Sequence, residues 1–295
     1  MSELLPTAPA ATHTEPAPNT KPTLLKIRNL TKAYGDTPIL QGINLDIYDG
    51  EFLTLLGPSG CGKSTLFMNL LGVLKPQQGQ VLWNGEPLMY DKKSLRQLRQ
   101  QIAMVFQDPD QQIFYTDIMS DIAFSLRNLG MEEHIIQQRV NQALALVDAE
   151  SFRHKPIQYL SHGQKKRVAI AGALVMDADY LLLDEPTAGL DPAGRQQMIH
   201  IIERIVAQGK RVVISSHDID LIYQVCDYLY VLSQGRLRCE GSEREVFLQS
   251  PVLHEAGLVQ PWLVKLHTEL GMPLYKTEQQ LFAAHNGQPL MREAL

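Results

Sequence analysis

Apolar and polar residues alternate in two stretches near the start of the chain. In residues 24–30, Leu25 and Ile27 alternate with the charged Lys26 and Arg28, and residues 39–47 continue the alternation with Gly42 at a predicted β-bulge. A period of two is typical of strands that bury only one face. These stretches therefore predict an antiparallel β portion at the start of the fold.

Four later segments are almost wholly apolar, at residues 52–56, 102–106, 180–183 and 212–214. Such runs are typical of parallel strands that are covered on both faces. Stretches with helical periodicity separate them, at residues 63–71, 118–128, 132–147, 164–176 and 194–207. Strands and helices that alternate along the chain predict an α/β fold with a parallel core sheet.

Both ends of the chain depart from this alternation of strands and helices. Residues 1–22 contain five Pro, four Ala and four Thr without a basic start and an apolar block, so they predict a flexible tail and not a secretory signal. Residues 236–239 predict a last strand, and Ser242 with Glu245 forms a capping-box sequence that starts a helix. Residues 246–295, interrupted by Pro and Gly, predict a small, largely helical extension.

Composition narrows the class of protein. The 295 residues are 20% charged, with a formal net charge of −5 at pH 7, which is typical of a soluble globular protein and argues against a dedicated nucleic-acid binder. Cys61, Cys226 and Cys239 form no CxxC pair, so we expect neither a disulfide scaffold nor a zinc site, as in a reducing cytoplasm. Because no apolar run reaches ~18 residues, we expect that the chain alone does not cross a bilayer.

A glycine-rich loop, GPSGCGKS at residues 57–64, directly follows the apolar run at 52–56 and precedes a predicted helix. It fits the phosphate-binding pattern GxxxxGK[ST]. Without side chains at Gly57, Gly60 and Gly62, backbone N–H groups can wrap a phosphate, and the helix dipole favours the anion. Lys63 is expected to bridge the β- and γ-phosphates and Ser64 to coordinate Mg²⁺. The remaining residues expected to contact the nucleotide here are Pro58, Ser59, Cys61 and Thr65.

The apolar run at residues 180–183 ends in two carboxylates, Asp184 and Glu185. An Asp at the carboxyl end of a parallel core strand faces the crevice where ligands bind, which suits it to hold Mg²⁺ through water. Glu185 would then orient and polarise the attacking water. The alternative is a buried strand that simply ends in solvated acids.

At this point the chain resembles the nucleotide-binding subunits of ABC transporters, over roughly residues 24–245. Besides the phosphate loop and the two carboxylates, the matches in the family's order are Tyr34 with the adenine-stacking aromatic, Gln107 with the Q-loop glutamine, LSHGQ at 160–164 with the signature motif, AGLD at 188–191 with the D-loop, and His217 with the switch histidine.

The resemblance implies a P-loop NTPase fold of the ABC ATPase type over residues 23–245, with a parallel core sheet, an antiparallel β subdomain and a helical subdomain at about 108–176. It implies ATP and Mg²⁺ bound between two subunits arranged head to tail, either two copies of this chain or this chain and a paralogue. The implied catalytic residues are Lys63, Gln107, Glu185 and His217, and the implied metal ligands are Ser64, Gln107 and Asp184. The implied nucleotide contacts outside the loop are Tyr34, Ser161, Gly163, Gln164 and Asp191.

Two residues in these motifs carry separate predictions. Ser161 and Gln164 fit a capping box that leaves a helix start open to an anion, but His162 stands where the family has glycine. The alternatives for this imidazole are contact with phosphate, contact with the partner protein and a solvent-facing ring. We favour the solvent-facing ring, because backbone N–H groups make the main contact with the anion. Cys61 lies at a helix start beside Lys63, so we hypothesise a lowered thiol pKa, ready alkylation and protection by ATP.

Three further segments resemble energy-coupling-factor ATPases, most closely the cobalt and nickel transporter ATPases. They are DPDQQIF at 108–114, QKKRVAIAG at 164–172 and AGLVQP at 256–261. This resemblance implies integral membrane coupling and substrate-binding subunits whose helices dock around the Q-loop, at the cytoplasmic face of the cell membrane. Ile113 and Phe114 are candidate contacts, and burial in the domain core is their alternative.

The transported ion is expected to meet a membrane subunit, because the nine histidines form no HxxxH cluster. The runner-up function is an importer for a vitamin or another small molecule. An ABC-type ATPase acting on ribosomes or DNA is a more distant alternative, disfavoured by the single cassette and the acidic balance, so we expect no nucleic-acid partner.

Overall fold

The computed structural model describes residues 23–48 and 52–285, so the predicted tail at 1–22 lies outside the described residues. The strands are β1 (Thr23–Tyr34), β2 (Thr37–Tyr48), β3 (Leu53–Leu56), β4 (Gln78–Trp83), β5 (Glu86–Pro87), β6 (Ile102–Val105), β7 (Tyr180–Asp184), β8 (Arg211–Ser216), β9 (Tyr228–Ser233) and β10 (Arg236–Ser242). The helices are α1 (Lys63–Leu70), α2 (Lys92–Gln101), α3 (Ile118–Asn128), α4 (Glu133–Leu146), α5 (His162–Leu174), α6 (Pro192–Ala207), α7 (Ile219–Val225), α8 (Glu243–Phe247), α9 (Ser250–Glu255), α10 (Trp262–Leu270) and α11 (Glu278–His285).

The strands form two sheets of different character. A six-stranded sheet has the order β10-β9-β3-β8-β7-β6, and its inner pairings β9–β3, β3–β8, β8–β7 and β7–β6 are all parallel. A four-stranded antiparallel sheet has the order β2-β1-β4-β5. The predicted combination of a parallel core sheet with an antiparallel β portion near the start is confirmed.

Both faces of the parallel sheet are covered, as the unbroken apolar runs predict. In β7, Leu181 and Leu183 belong to the core cluster that contains α3 to α6, whereas Tyr180 and Leu182 belong to the cluster shared with α1 and the antiparallel sheet. Successive side chains of a strand point to opposite faces, so such a strand needs apolar residues at every position.

The register of β1 and β2 contains the predicted bulge. Leu30 pairs with Ile43, but Lys32 pairs with Leu40, so one extra residue of β2 is accommodated between them. Gly42 lies in this gap with φ +66°, a left-handed conformation that glycine adopts without a steric penalty.

Five elements had no prediction from the sequence. Helix α2 has only two apolar residues, Leu95 and Leu98, and in β4 only Val81 is buried, so both segments carry too little apolar signal to mark a buried face. Strand β9 did carry a signal, because its residues 229–232 are all apolar or aromatic and buried. The short β5 and α7 have too few residues to show a period.

The C-terminal helices pack on the main domain. The capping box of Ser242 and Glu245 is present at the start of α8, as predicted. Leu253, Leu263 and Leu281 belong to the same core cluster as the helices between β6 and β7, so α9 to α11 extend that core. Within the described residues, none of the helices has the length and apolarity needed to cross a membrane.

Candidate nucleotide site

The glycine-rich loop leaves the carboxyl end of β3 and turns directly into α1. A Cβ at Gly57 would lie 2.2 Å from the Leu232 carbonyl oxygen, and a Cβ at Gly62 would lie 2.8 Å from Leu40 Cδ2. Gly62 also has φ +111°. Both positions therefore require glycine for reasons internal to the fold, and the loop is held as a fixed turn at the helix N-terminus.

The Lys63 side chain is 5% exposed and points back into this loop. Its Nζ donates to the carbonyl oxygens of Gly57 (2.8 Å) and Pro58 (3.1 Å) and lies 3.2 Å from Glu185 Oε1. Two carbonyls thus fix the ammonium group, and its third contact is an anion that a phosphate oxygen could replace.

Glu185 follows β7 and is held at its backbone and at both carboxylate oxygens. It is 6% exposed, and its N–H donates to the Ser215 hydroxyl oxygen at 3.0 Å and to the Ser215 carbonyl oxygen at 3.2 Å. Its Oε2 lies 2.6 Å from His217 Nδ1, while its Oε1 faces Lys63. The structure therefore brings three of the four predicted catalytic residues into direct contact.

The predicted metal ligands line one cavity of about 410 Å³. Ser64 comes from the start of α1, Gln107 from the segment after β6, and Asp184 from the end of β7. Asp184 is 4% exposed and accepts a hydrogen bond from the Ser215 hydroxyl. Hydroxyl, amide and carboxylate oxygens are the donors that Mg²⁺ prefers, so these residues fit that ion. In 23–48 and 52–285, no group of three or more His, Cys, Asp or Glu side chains could hold a metal ion.

A second cavity of about 250 Å³ is formed by the phosphate loop itself. Gln107 and Glu185 border it as well, so the fourth predicted catalytic residue faces both cavities. Tyr34 is 51% exposed at the end of β1, in the hairpin whose returning strand lines the loop cavity through Ile39. The loop residues on this cavity are Ser59, Gly60, Gly62, Lys63, Ser64 and Thr65.

The signature sequence forms the open start of α5. Ser161 Oγ accepts from the Gln164 N–H at 3.2 Å, and Gln164 Oε1 accepts from the Ser161 N–H at 3.0 Å, so the capping box is confirmed. A Cβ at Gly163 would meet Leu190 Cδ2 at 3.3 Å. Ser161, Gly163 and Asp191 line a groove of about 500 Å³ beside this helix start.

The D-loop lies against the signature sequence within one chain. A Cβ at Gly189 would be 3.4 Å from the His162 ring, which is exposed and borders both the metal cavity and the groove. Asp191 Oδ1 accepts from the Gly194 N–H at 2.7 Å and so caps α6. Asp191 thus has a structural contact of its own.

Comparison with known proteins identifies the family. A family model described as ABC transporter matches residues 40–188, half of the chain. The cobalt import ATP-binding protein CbiO of Salmonella paratyphi A is 64% identical over 259 residues, which are 88% of this chain and 96% of that protein. The chain belongs to the ABC transporter family of ATPases.

Other relatives agree with this ABC ATPase assignment. The energy-coupling factor transporter ATP-binding protein EcfA of Methanocaldococcus jannaschii is 43% identical over 82% of this chain and 88% of that protein. The structure of cbiO1 from Clostridium perfringens, part of the ABC transporter complex cbiONQ, matches with a TM-score of 0.73 at 39% identity, covering 85% of this chain and 99% of that one. The dimeric structure of MJ0796, a bacterial ABC transporter cassette, matches with a TM-score of 0.68 at 28% identity, covering 75% and 99%. The predicted fold class is confirmed.

The prediction that the thiol pKa of Cys61 is lowered in this ABC ATPase was wrong. Cys61 is 6% exposed, and burial raises the pKa of its thiol more strongly than the nearby Lys63 ammonium lowers it. A helix start and a neighbouring cation lower a thiol pKa only when the thiolate stays solvated. The motif predicts where the thiol lies along the chain, but its burial beside Gly57 depends on how the loop folds.

A buried cation of the ABC ATPase site was missed. Lys166 is 2% exposed, and its Nζ donates to the carbonyl oxygens of Glu185 at 2.9 Å and Pro186 at 3.2 Å. Burial lowers the pKa of Lys166 to about 8, against the opposing effect of nearby carboxylates. Ala169 and Ile170, three and four residues later on α5, are buried, so helical periodicity could have placed Lys166 on the buried face.

The two candidate contact residues in the segment after Gln107 differ in how much of each side chain is exposed. Phe114 is 78% exposed, whereas Ile113 is half-buried and packs against the core. Asp121 Oδ1 accepts from the N–H groups of Phe114 (2.8 Å) and Tyr115 (3.1 Å), and burial raises the pKa of this carboxyl. Core burial, the alternative, therefore holds for Ile113 and not for Phe114.

Proposed function

We propose that this chain is the ATP-hydrolysing subunit of an energy-coupling-factor transporter that powers the uptake of cobalt ions through separate membrane subunits. The observation that carries the proposal is the contact of Glu185 with both Lys63 and His217, in a chain 64% identical to a cobalt import ATP-binding protein. These contacts support the assignment of ATP hydrolysis. The similarity to the cobalt import protein supports cobalt as the transported ion.

Glu185 acts as the general base. It takes a proton from water as the water oxygen bonds to the γ-phosphorus, and the bond from that phosphorus to the bridging oxygen breaks to give ADP and inorganic phosphate. Lys63 exchanges its carboxylate contact for phosphate oxygens, which frees Glu185 Oε1 to face the water. His217 retains Oε2 and keeps the carboxylate oriented.

Ser64, Gln107 and Asp184 are the residues that would hold Mg²⁺, with Asp184 acting through water. The ion neutralises charge on the phosphate oxygens when it is bound. The Ser215 hydroxyl fixes the direction of the Asp184 carboxylate, because it donates to Oδ1.

A second subunit completes the site. The start of α5, with Ser161, Gly163 and Gln164, faces the γ-phosphate held by the phosphate loop of the other subunit. A pair of copies of this chain is sufficient because each carries both halves, and a pair with a paralogue would work in the same way. The dimeric form of the related MJ0796 cassette supports such a pair.

The membrane partners dock around the Q-loop at the cytoplasmic face, where the chain is peripheral. Phe114 supports this assignment, because a large aromatic ring that is 78% exposed, in the segment that follows Gln107, suits burial against a partner helix. The cargo ion is handled by those integral subunits, and no nucleic acid takes part.

The test is ⁵⁷Co²⁺ uptake by membrane vesicles that contain the complex purified with its integral subunits. Wild type is expected to accumulate the ion when ATP is supplied at the cytoplasmic face, and Glu185→Gln is expected not to. Glu203→Gln, an exposed carboxylate on α6, is the matched control. ATP hydrolysis with uptake of nickel or of a vitamin, and none of cobalt, would contradict the assigned cargo.

A further inference from the structure

The chain carries a buried lysine that touches the backbone of the proposed general base without touching its carboxylate. Lys166 lies on α5 and is 2% exposed. Its Nζ donates to two consecutive carbonyl oxygens, those of Glu185 at 2.9 Å and Pro186 at 3.2 Å. Burying an ammonium group costs free energy, so these contacts offset a substantial desolvation penalty.

The backbone at this point needs support. Glu185 has φ +47°, the left-handed region that residues with a Cβ seldom adopt. On its amino side, the N–H is held by the hydroxyl and carbonyl oxygens of Ser215 on β8. On its carboxyl side, the carbonyl is held by Lys166. The peptide groups on either side of the Glu185 Cα are therefore tied to two different elements, and together they set the direction of its side chain.

We propose that Lys166 is a positioning residue for hydrolysis: by holding the carbonyls of Glu185 and Pro186, it aims the Glu185 carboxylate at the attacking water. This inference rests on the proposed role of Glu185 as general base. A displacement of a reacting group by ~1 Å can cost roughly 10²-fold in rate, so a contact that fixes such a backbone is expected to act on turnover.

Helix α5 connects Lys166 to the proposed interface with the second subunit. The same helix begins one and a half turns earlier at Ser161, the cap of the exposed signature sequence. One end of α5 thus faces the partner's nucleotide, while Lys166 holds the carboxylate that acts on the chain's own nucleotide.

The test compares Lys166→Met with Lys210→Met as the matched control. Lys210 likewise donates to a backbone carbonyl, that of Asp177, and also to the Asp177 carboxylate. It precedes β8, at the amino ends of the parallel strands, whereas Glu185 follows the carboxyl end of β7. Lys166→Met keeps the length of the apolar stem but removes the donors. We expect its kcat to fall roughly 10- to 100-fold while the Kd for ATP changes less than about threefold. The control is expected to match wild type in both.

A double-mutant cycle with Glu185→Gln separates positioning from a general effect on the fold. If Lys166 acts through Glu185, adding Lys166→Met to Glu185→Gln lowers the residual rate no further. Fully multiplicative losses would overturn the inference. So would a wild-type kcat in Lys166→Met when Glu185→Gln is inactive, whereas an active Glu185→Gln would refute the proposed role of Glu185 itself.

Folding of the variants is checked by circular dichroism and by binding of a fluorescent ATP analogue. Should Lys166→Met fail to fold, Lys166→Gln, which is polar and keeps an amide donor, is measured in its place. A folded Lys166→Gln with reduced kcat and retained ATP binding supports the inference. Loss of folding in both variants would assign Lys166 to folding alone and overturn it.

Discussion

The two halves of the proposed nucleotide site differ in how far one chain completes them. In the phosphate-loop half, Lys63, Asp184 and Glu185 are each at most 6% exposed, and protein groups contact their charged atoms. In the signature half, Ser161 and Asp191 are exposed, and each side chain accepts from a backbone N–H of its own helix. The first half is buried within one chain, and the second is an exposed surface at which the proposed second subunit would complete the site.

This difference predicts where substitutions act most strongly. Charges in a buried, water-poor site interact more strongly than charges in solvent, so changes in the phosphate-loop half are expected to affect chemistry directly. Helix caps at a surface contribute about 1 kcal/mol each, so changes in the signature half are expected to act through the assembled pair or, more weakly, through stability.

The largest effect is expected for Glu185→Gln. Loss of the general base should lower kcat by roughly 10²- to 10⁴-fold. ATP binding should survive, because the amide keeps the volume of the carboxylate and Lys63 remains free for phosphate. Steady-state ATPase assays and ATP-binding titrations measure the two quantities. Glu203→Gln should leave both unchanged, and substantial hydrolysis by Glu185→Gln would remove this residue from its proposed role.

The next largest effect tests whether the signature half serves the other subunit. Gly163→Asp adds an acidic group to the first turn of α5, which suits the helix dipole but repels a γ-phosphate. Alone, it should lower the ATPase rate roughly tenfold or more, given the strength of charge interactions in a desolvated site. When equal amounts of the Gly163→Asp and Glu185→Gln subunits are combined, about a quarter of the wild-type ATPase rate should return. Half of the randomly paired dimers contain one subunit of each kind, and each such dimer has one intact site.

A chain that carries both substitutions is the control for this mixing experiment. Combined with Gly163→Asp alone, it places a defect in every composite site, so no activity should return. Recovery in this control, or none in the original mixture, would contradict the head-to-tail arrangement.

Within both halves, local features of the site could be predicted from the sequence and long-range packing could not. The phosphate loop, Asp184, Glu185 and the Ser161 cap follow from local rules of strand, turn and helix start, and the structure places them accordingly. The periodicity of α5 indicates that Lys166 lies on its buried face, but the contacts of Lys166 with the carbonyls of Glu185 and Pro186 depend on how α5 packs against the end of β7. Burial of Cys61 depends on how the loop folds over its own side chain. Such contacts join residues far apart in the chain or concern packing, which no local pattern encodes.

A smaller effect is expected for Asp191→Ala. The carboxylate caps α6 through the Gly194 N–H, so its loss should cost about 1 kcal/mol, a fall in Tm of about 2 to 4 °C for a domain of this class. Asp191→Asn keeps an acceptor and should retain most of the stability. Thermal unfolding by circular dichroism measures both. Equal Tm values for Ala and wild type would refute the capping role, and an ATPase defect in the stable Asn variant would point to a contact across the dimer.

The smallest effect is expected for alkylation of Cys61. Because burial raises the pKa of this thiol, little thiolate is present at pH 7.5, and iodoacetamide should react slowly whether or not Mg-ATP is bound. Cys239 is less buried, but burial raises its pKa to about 11, so it too should react slowly in the folded protein. Peptide mass spectrometry after timed quenching measures each site, and protein unfolded in urea, in which all three should react, is the control. Rapid labelling of Cys61 that Mg-ATP suppresses would show that the loop opens to solvent in the absence of nucleotide. The phosphate-loop half would then be less well buried in a single chain than the structure indicates.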